Sequence, residues 1–142
     1  MSLGLYLHIP YCFSKCRYCD FYSAPGQRGV PRAYVDALLR ELSRFAPDAP
    51  LRPDTLYFGG GTPSLLDPAD AARLIAAAQP LPGAEITLEA NPETVTEDSL
   101  RAFREASVNR ISFGVQSARD SQLKTLGRPH TAKQARAAFA AA

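Results

Sequence analysis

The stretch Leu3–Cys19, LGLYLHIPYCFSKCRYC, joins a short apolar run to three closely spaced cysteines. From Leu3 to Pro10 the run alternates Leu5, Leu7 and Ile9 with Tyr6 and His8, the two-residue period of a β-strand. Cys12, Cys16 and Cys19 follow directly in a C-x-x-x-C-x-x-C spacing and are the only cysteines among 142 residues. An odd number of thiols so close together cannot form a disulfide framework, and the spacing is that of a metal site. Three thiolates from one loop can hold three corners of an iron–sulfur cube, leaving the fourth iron open to an exogenous group. Two blander readings compete. A zinc ion could take His8 or His130 as fourth ligand, although His8 would require the strand to fold back within four residues of Cys12. Three unrelated core cysteines fit less well, because the flanking residues are polar and aromatic.

Beyond this stretch the chain alternates apolar runs with helical patterns, the signature of β/α units around a parallel sheet. The spacing predicts a helix over Pro31–Phe45 with Val35, Leu38, Leu39, Leu42 and Phe45 on one face. A second strand runs over Asp54–Phe58, and its helix starts at Asp67 as N-cap, with Pro68 at the first helical position. A third strand covers Glu85–Ala90, followed by a helix capped by Thr96 that carries Leu100 and Phe103. A fourth covers Arg110–Gln116. Ser117 and Asp120 then suggest a capping box for a short helix that Gly127 closes, and a last helix starts near Thr131.

Strand parity separates two faces. Leu5, Leu7, Ile9, Leu56, Phe58, Ile86, Leu88, Ala90, Ile111, Phe113 and Val115 form one, expected to pack under the helices. The other carries Tyr6, His8, Thr55, Tyr57, Gly59, Thr87, Glu89, Asn91, Ser112, Gly114 and Gln116. A small closed barrel fills its inside with branched apolar residues, whereas this inner face is polar in every strand and reads as a lined cavity. All the unusual short motifs follow strand C-termini: the cysteine loop, GGGTPS (Gly59–Ser64), EANP (Glu89–Pro92) and GVQS (Gly114–Ser117). That rim is where β/α folds build their sites.

The residue types there suit a polar ligand. Gly59, Gly60 and Gly61 let a ligand approach the backbone, although a tight turn is the commoner explanation of such a run. Glu89 is an inward carboxylate that needs a cation or a ligand, and a barrel Arg is the simple alternative. Gln116 both donates and accepts, which suits paired hydroxyls. Arg128, in LGRPH, offers a planar fork for a carboxylate, set against the reading of a solvated surface Arg. Lys15 and His130 read as surface or local-structure residues, and Tyr11, Phe13, Phe21 and Tyr22 as aromatic walls around the metal.

Composition narrows the class of partner. The chain is 46% hydrophobic with net charge +2, and no block of like charge argues for nucleic acid or a membrane surface. It carries no leader-like stretch and no apolar run of bilayer length. Unpaired thiols without an export signal point to a cytoplasmic location. The last residues, AKQARAAFAAA, end a helical pattern without a stop signal. The expectation is therefore one domain over residues 1–142 that is a cut part of a longer protein.

The stretch LYLHIPYCFSKCRYCDFYS, together with FGGGTPSLL, EANPETVT, NRISFGVQS and LGRPH, resembles the radical S-adenosylmethionine (SAM) superfamily. Within it, these motifs resemble the branch of oxygen-independent coproporphyrinogen III oxidases and HemW haem chaperones. The resemblance implies an α/β fold, the first four β/α units of a partial TIM-like barrel. It places a [4Fe-4S] cluster on Cys12, Cys16 and Cys19. It places SAM on Tyr6, Tyr18, Gly60, Gly61, Thr62, Glu89, Gln116 and Arg128, and assigns no catalytic side chain. Oxidases of this branch carry a further cysteine two residues after the third cluster cysteine. Phe21 stands there, so the haem chaperones are the nearer match. The implied partners are SAM, haem or a porphyrin, a one-electron donor such as flavodoxin, and haem-accepting proteins. A porphyrinogen-oxidising enzyme and a zinc-binding structural module are the alternatives.

Overall fold

The computed structural model describes residues 2–45 and 49–142. Four strands, β1 (Gly4–Ile9), β2 (Thr55–Gly60), β3 (Glu85–Ala90) and β4 (Arg110–Phe113), form one sheet in that order. Every neighbouring pair is parallel, with Leu7 opposite Phe58, Phe58 opposite Leu88, and Ala90 opposite Phe113. Helices α1 (Arg32–Phe45), α2 (Pro68–Ala78) and α3 (Glu97–Glu105) connect successive strands. Helices α4 (Asp120–Leu126) and α5 (Ala132–Ala141) follow β4.

The parity of the strands sets the core. Ile9, Leu56, Phe58 and Leu88 are wholly buried and pack with Val35 of α1, Leu74 of α2 and Phe103 of α3 in one cluster. Burying each such side chain stabilises the fold by about 1.5–3 kcal/mol, and Phe58→Ala would cost about 3–5 kcal/mol. Phe45 does not join them. It is 75% exposed, because the buried stripe of α1 stops one turn earlier at Leu42.

Local chemistry sets the helix boundaries. Asp67 caps α2 by accepting from the Ala69 N–H at 2.8 Å, and Thr96 and Ser99 form a reciprocal box at the start of α3. Thr131 and Gln134 do the same for α5, and Gly127 ends α4 at φ 74°. The expected box at Ser117 and Asp120 is absent. Ser117 Oγ accepts from Arg119 N–H, while Asp120 accepts from Ala132 N–H at 2.7 Å and so serves the next helix.

Two strand ends differ from expectation, and both shape the rim. β2 continues to Gly60 because Gly59 and Gly60 stay in register with His8 and Ile9. β4 stops at Phe113. Gly114 N–H still reaches Ala90 O at 2.9 Å, but the chain then turns at Gln116, whose φ is 65°. On the inner face Tyr6 stacks on Tyr57, with centroids 5.9 Å apart. A Cβ on Gly59 would stand 2.7 Å from the Tyr6 ring, so glycine is what admits that stack. Thr87 is buried beneath Arg110, which donates to its hydroxyl at 3.2 Å. Thr87 is thus covered while Tyr6 stays exposed, and the upper part of the polar face opens as a cavity.

Candidate functional site: a thiol-lined cavity at the strand tips

The cavity has a volume of about 390 Å³, within the range of small-molecule sites. Cys12, Cys16 and Cys19 line it together with Gly60, Gly61, Thr62, Glu89, Asn91, Gln116 and Arg128. A larger hollow of about 640 Å³ runs along the β4 edge beside Ile111, Phe113 and Phe139, away from these groups.

The backbone laces the cysteine loop to the glycine turn. Gly61 N–H donates to Ile9 O and Thr62 N–H to Tyr11 O, both at 2.8 Å, while Cys12 N–H reaches Ala24 O at 3.0 Å. The missing side chain of Gly61 makes the approach possible, since a Cβ there would stand 2.9 Å from Cys12 Sγ. Gly60 has φ 120°, a conformation that glycine adopts readily, and its N–H donates to Glu89 Oε2 at 3.1 Å. The Tyr57 hydroxyl donates to the other Glu89 oxygen at 2.9 Å. Burial, then the Glu89 carboxylate, raises the Tyr57 pKa above its ordinary value of 10.0. Among the described residues no Lys, Arg or His forms an ion pair with Glu89, so neutral donors hold this carboxylate at the cavity wall.

Arg128 is the hub. It is 8% exposed rather than solvated. It donates to Cys16 Sγ at 3.2 Å, to Asn91 Oδ1 at 2.5 Å and to the Gly114 carbonyl. Asn91 in turn donates to Thr62 Oγ1 at 3.1 Å. One guanidinium therefore contacts the segments after β1, β3 and β4, and reaches that after β2 through one amide. Its Nε is buried without a partner. A buried donor left unpaired is costly. Tyr18 also lines the cavity, and burial raises its pKa, against a lowering effect of Arg128.

The donor set, three thiols and no histidine, is compatible with an iron–sulfur cluster. All three cysteines are free, and they share one concavity. Among the described residues no group of three His, Cys, Asp or Glu side chains, the three thiols included, stands close enough together to hold a metal ion. Neither histidine supplies a fourth ligand. His8 Nε2 faces Tyr22 O at 3.1 Å, and His130 is bonded to Glu93 and Val115.

Tyr6 stands beside the cavity and not in its lining, stacked on Tyr57 on the same inner face. Several other sequence expectations need correction. His130 is buried, at 2% exposure, and is no surface residue. Of the four aromatic walls only Phe21 lines the cavity. Tyr11 packs edge-on against Tyr34, Phe13 lies beneath the Arg28 guanidinium, and Tyr22 is 85% exposed. Lys15 is local structure, donating to Phe21 O at 2.6 Å and to Ser23 Oγ. Asn91 was not singled out from sequence as a site residue, although strand parity places it two residues beyond Glu89 on the same inward face.

Known proteins resemble this chain in sequence and in fold. Residues 6–142 match the Radical SAM superfamily. The "Heme chaperone HemW" of Escherichia coli (strain K12) is 46% identical over 142 residues, covering 96% of this chain and 38% of that protein. "Radical S-adenosyl methionine domain-containing protein 1, mitochondrial" of Bos taurus is 40% identical over 142 residues, covering 93% of this chain and 31% of that protein. The solved structure titled "Coproporphyrinogen III oxidase (HemN) from Escherichia coli is a Radical SAM enzyme" superposes with a TM-score of 0.84 at 29% identity. That match covers 99% of this chain and 34% of the other. The chain spans about a third to two-fifths of the length of these relatives. With three thiols, a glycine turn and an inward carboxylate on the rim of a parallel sheet, and a family match over nearly every residue, the chain belongs to the radical SAM superfamily.

Proposed function

We propose that this chain is the cluster- and SAM-binding part of a HemW-like haem chaperone, the first half of its radical SAM core. The observation that carries the reading is the single cavity in which three free thiols face Gly60, Glu89, Gln116 and Arg128. Cys12, Cys16 and Cys19 would hold three irons of a [4Fe-4S] cluster. When bound, such a cluster supplies an electron to SAM at the iron that no protein ligand occupies.

This chain's own residues bind and orient. Gly60 and Gly61 present backbone to the methionine end of SAM, and Glu89, held by Tyr57 and the Gly60 N–H, offers an acceptor edge to its amino group. The unpaired Nε of Arg128 suits the SAM carboxylate. Gln116 suits the ribose hydroxyls, and Thr62 and Tyr18 complete the wall. Phe21 lines the cavity beside the thiols. Phe21 also occupies the position where the oxidases of the branch carry a cysteine, which favours the chaperone over a porphyrinogen-oxidising enzyme. Haem or a porphyrin, an electron donor such as flavodoxin, and a haem-accepting protein are the proposed partners. Among the described residues no helix is long and apolar enough to cross a membrane. The cytoplasm is the proposed location, and the three free thiols are what supports it.

The test is anaerobic reconstitution of the native-length protein with iron and sulfide, followed by SAM binding, haem titration and an assay of coproporphyrinogen decarboxylation. Four irons per chain, saturable SAM binding and stoichiometric haem uptake without turnover are expected. Turnover without haem uptake would establish the oxidase. A single bound zinc ion with no SAM binding would overturn both readings.

A further inference from the structure

His130 takes no part in the cavity, yet it is fully enclosed and both its ring nitrogens face acceptors. Nδ1 lies 2.9 Å from Glu93 Oε2, in the 3₁₀ turn Pro92–Thr94 that follows β3. Nε2 lies 3.1 Å from the carbonyl oxygen of Val115, just after β4. A carboxylate and a carbonyl only accept, so a ring nitrogen bonded to either must donate.

The Val115 carbonyl has a second donor. Ser117 N–H reaches it at 2.9 Å and closes a three-residue turn around Gln116. Gln116 has φ 65°, a left-handed backbone that few non-glycine residues adopt. Turns of this kind are rare and strained, and persist where the surroundings over-determine them. The turn directs the Gln116 side chain into the cavity, where a Cβ on Gly114 would stand 3.1 Å from its amide nitrogen.

We propose that His130 is a positioning residue. Oriented by Glu93, it grips the Val115 carbonyl and holds the strained turn that presents Gln116 to the ligand. Glu93 and His130 thus join the tips of β3 and β4 from outside the cavity. Arg128, two residues before His130, has its own anchors on Cys16, Asn91 and Gly114, so the effect of His130 falls on Gln116. The consequence for SAM rests on the proposed contact between Gln116 and the ribose.

Two conservative variants separate the bonds. The amide nitrogen of an asparagine stands near the Nδ1 position and keeps a donor for Glu93. That of a glutamine stands near Nε2 and keeps one for Val115. In native-length, cluster-loaded protein, His130→Asn is expected to weaken SAM binding severalfold, up to about tenfold, as a lost neutral hydrogen bond does. His130→Gln is expected to stay near the native value. Combining His130→Asn with Gln116→Ala should bind no more weakly than the weaker single variant, because both act through one side chain. Provided Gln116→Ala itself weakens SAM binding, equal affinities for the Asn and Gln variants, or losses that multiply, would overturn the proposal.

Hydrogen exchange without SAM reads the turn itself. Exchange over residues 114–118 should rise in His130→Asn and not in His130→Gln, and equal exchange in both overturns the clamp whether or not SAM binds. Raised exchange alongside native SAM affinity in Gln116→Ala would support the clamp and overturn the ribose contact instead.

Discussion

A methyl group on Gly61 would stand 2.7 Å from the Tyr11 carbonyl oxygen and 2.9 Å from Cys12 Sγ. Ordinary contact begins near 3.4 Å, so the closer neighbour must yield by about 0.7 Å. It has little freedom to do so. The Tyr11 carbonyl accepts from Thr62 N–H at 2.8 Å, and Cys12 is held on both sides by Ala24 and Gln27 at 3.0 Å. Overpacking a pinned site costs about 1–3 kcal/mol, equivalent to a factor of about 5–150 in an equilibrium constant. The strain falls on the loop that carries Cys12, so Gly61→Ala should lower both fold stability and metal retention. The assay is anaerobic reconstitution, iron and sulfide analysis, chelator challenge and urea unfolding of the native-length protein. Gly29→Ala is the control, because its Cβ would meet nothing nearer than 3.9 Å. A Gly61→Ala protein with native urea midpoint and native chelator resistance would refute the reasoning.

Cys16→Ser should abolish the four-iron complement, checked by iron analysis and visible absorption; retention of four irons would remove Cys16 from the ligand set. Arg128→Ala should weaken SAM binding by roughly 10- to 150-fold, corresponding to about 1.5–3 kcal/mol for a hydrogen bond to a charged group. Arg128→Lys should fall between, since an ammonium keeps the charge but loses the fork; equilibrium binding with iron content checked in each variant decides. The Leu3 N–H donates to Asp54 at 2.7 Å and is the main cause that lowers the Asp54 pKa below 3.8. A lowered carboxylate stabilises the fold above the unfolded value, and that contribution disappears as pH falls through the lower folded value. The stability difference between native protein and Asp54→Asn should therefore be present at neutral pH and vanish in strong acid, as urea midpoints across the range would report.

The strands and their faces were legible because parallel pairing preserves the two-residue period that the residues display. Leu88 and Glu89 fall on opposite faces for that reason alone. Helix starts at Asp67, Thr96 and Thr131 were legible because a cap depends on residues only two or three apart. What escaped the sequence depends on partners far along the chain. Arg128 looks solvated until Asn91 and Cys16, 37 and 112 residues away, are brought to it. His130 looks like a surface histidine until Glu93 arrives from across 37 residues. Asp120 was assigned to its own helix, whereas its carboxylate serves Ala132, 12 residues on. The ends of β2 and β4 differed because register with a neighbour, not composition, decides where a ladder stops. The candidate site was thus readable as a set of motifs on one rim, while the network that joins them was not.

The bond between Arg128 and Cys16 spans 112 residues, which has a consequence for biosynthesis. The three thiols are made before the guanidinium that closes over Cys16, which follows 112 residues later in the chain. At about 5–20 residues per second, the interval is roughly 6–22 s. Throughout it the cysteine loop is accessible to a metal-delivery factor or to oxygen, with no Arg128 beside it. Slowing translation between Cys19 and Arg128 should therefore lengthen the window for both metal loading and oxidative loss. Cluster occupancy in cells would then respond to codon choice in that interval, with the amino-acid sequence unchanged.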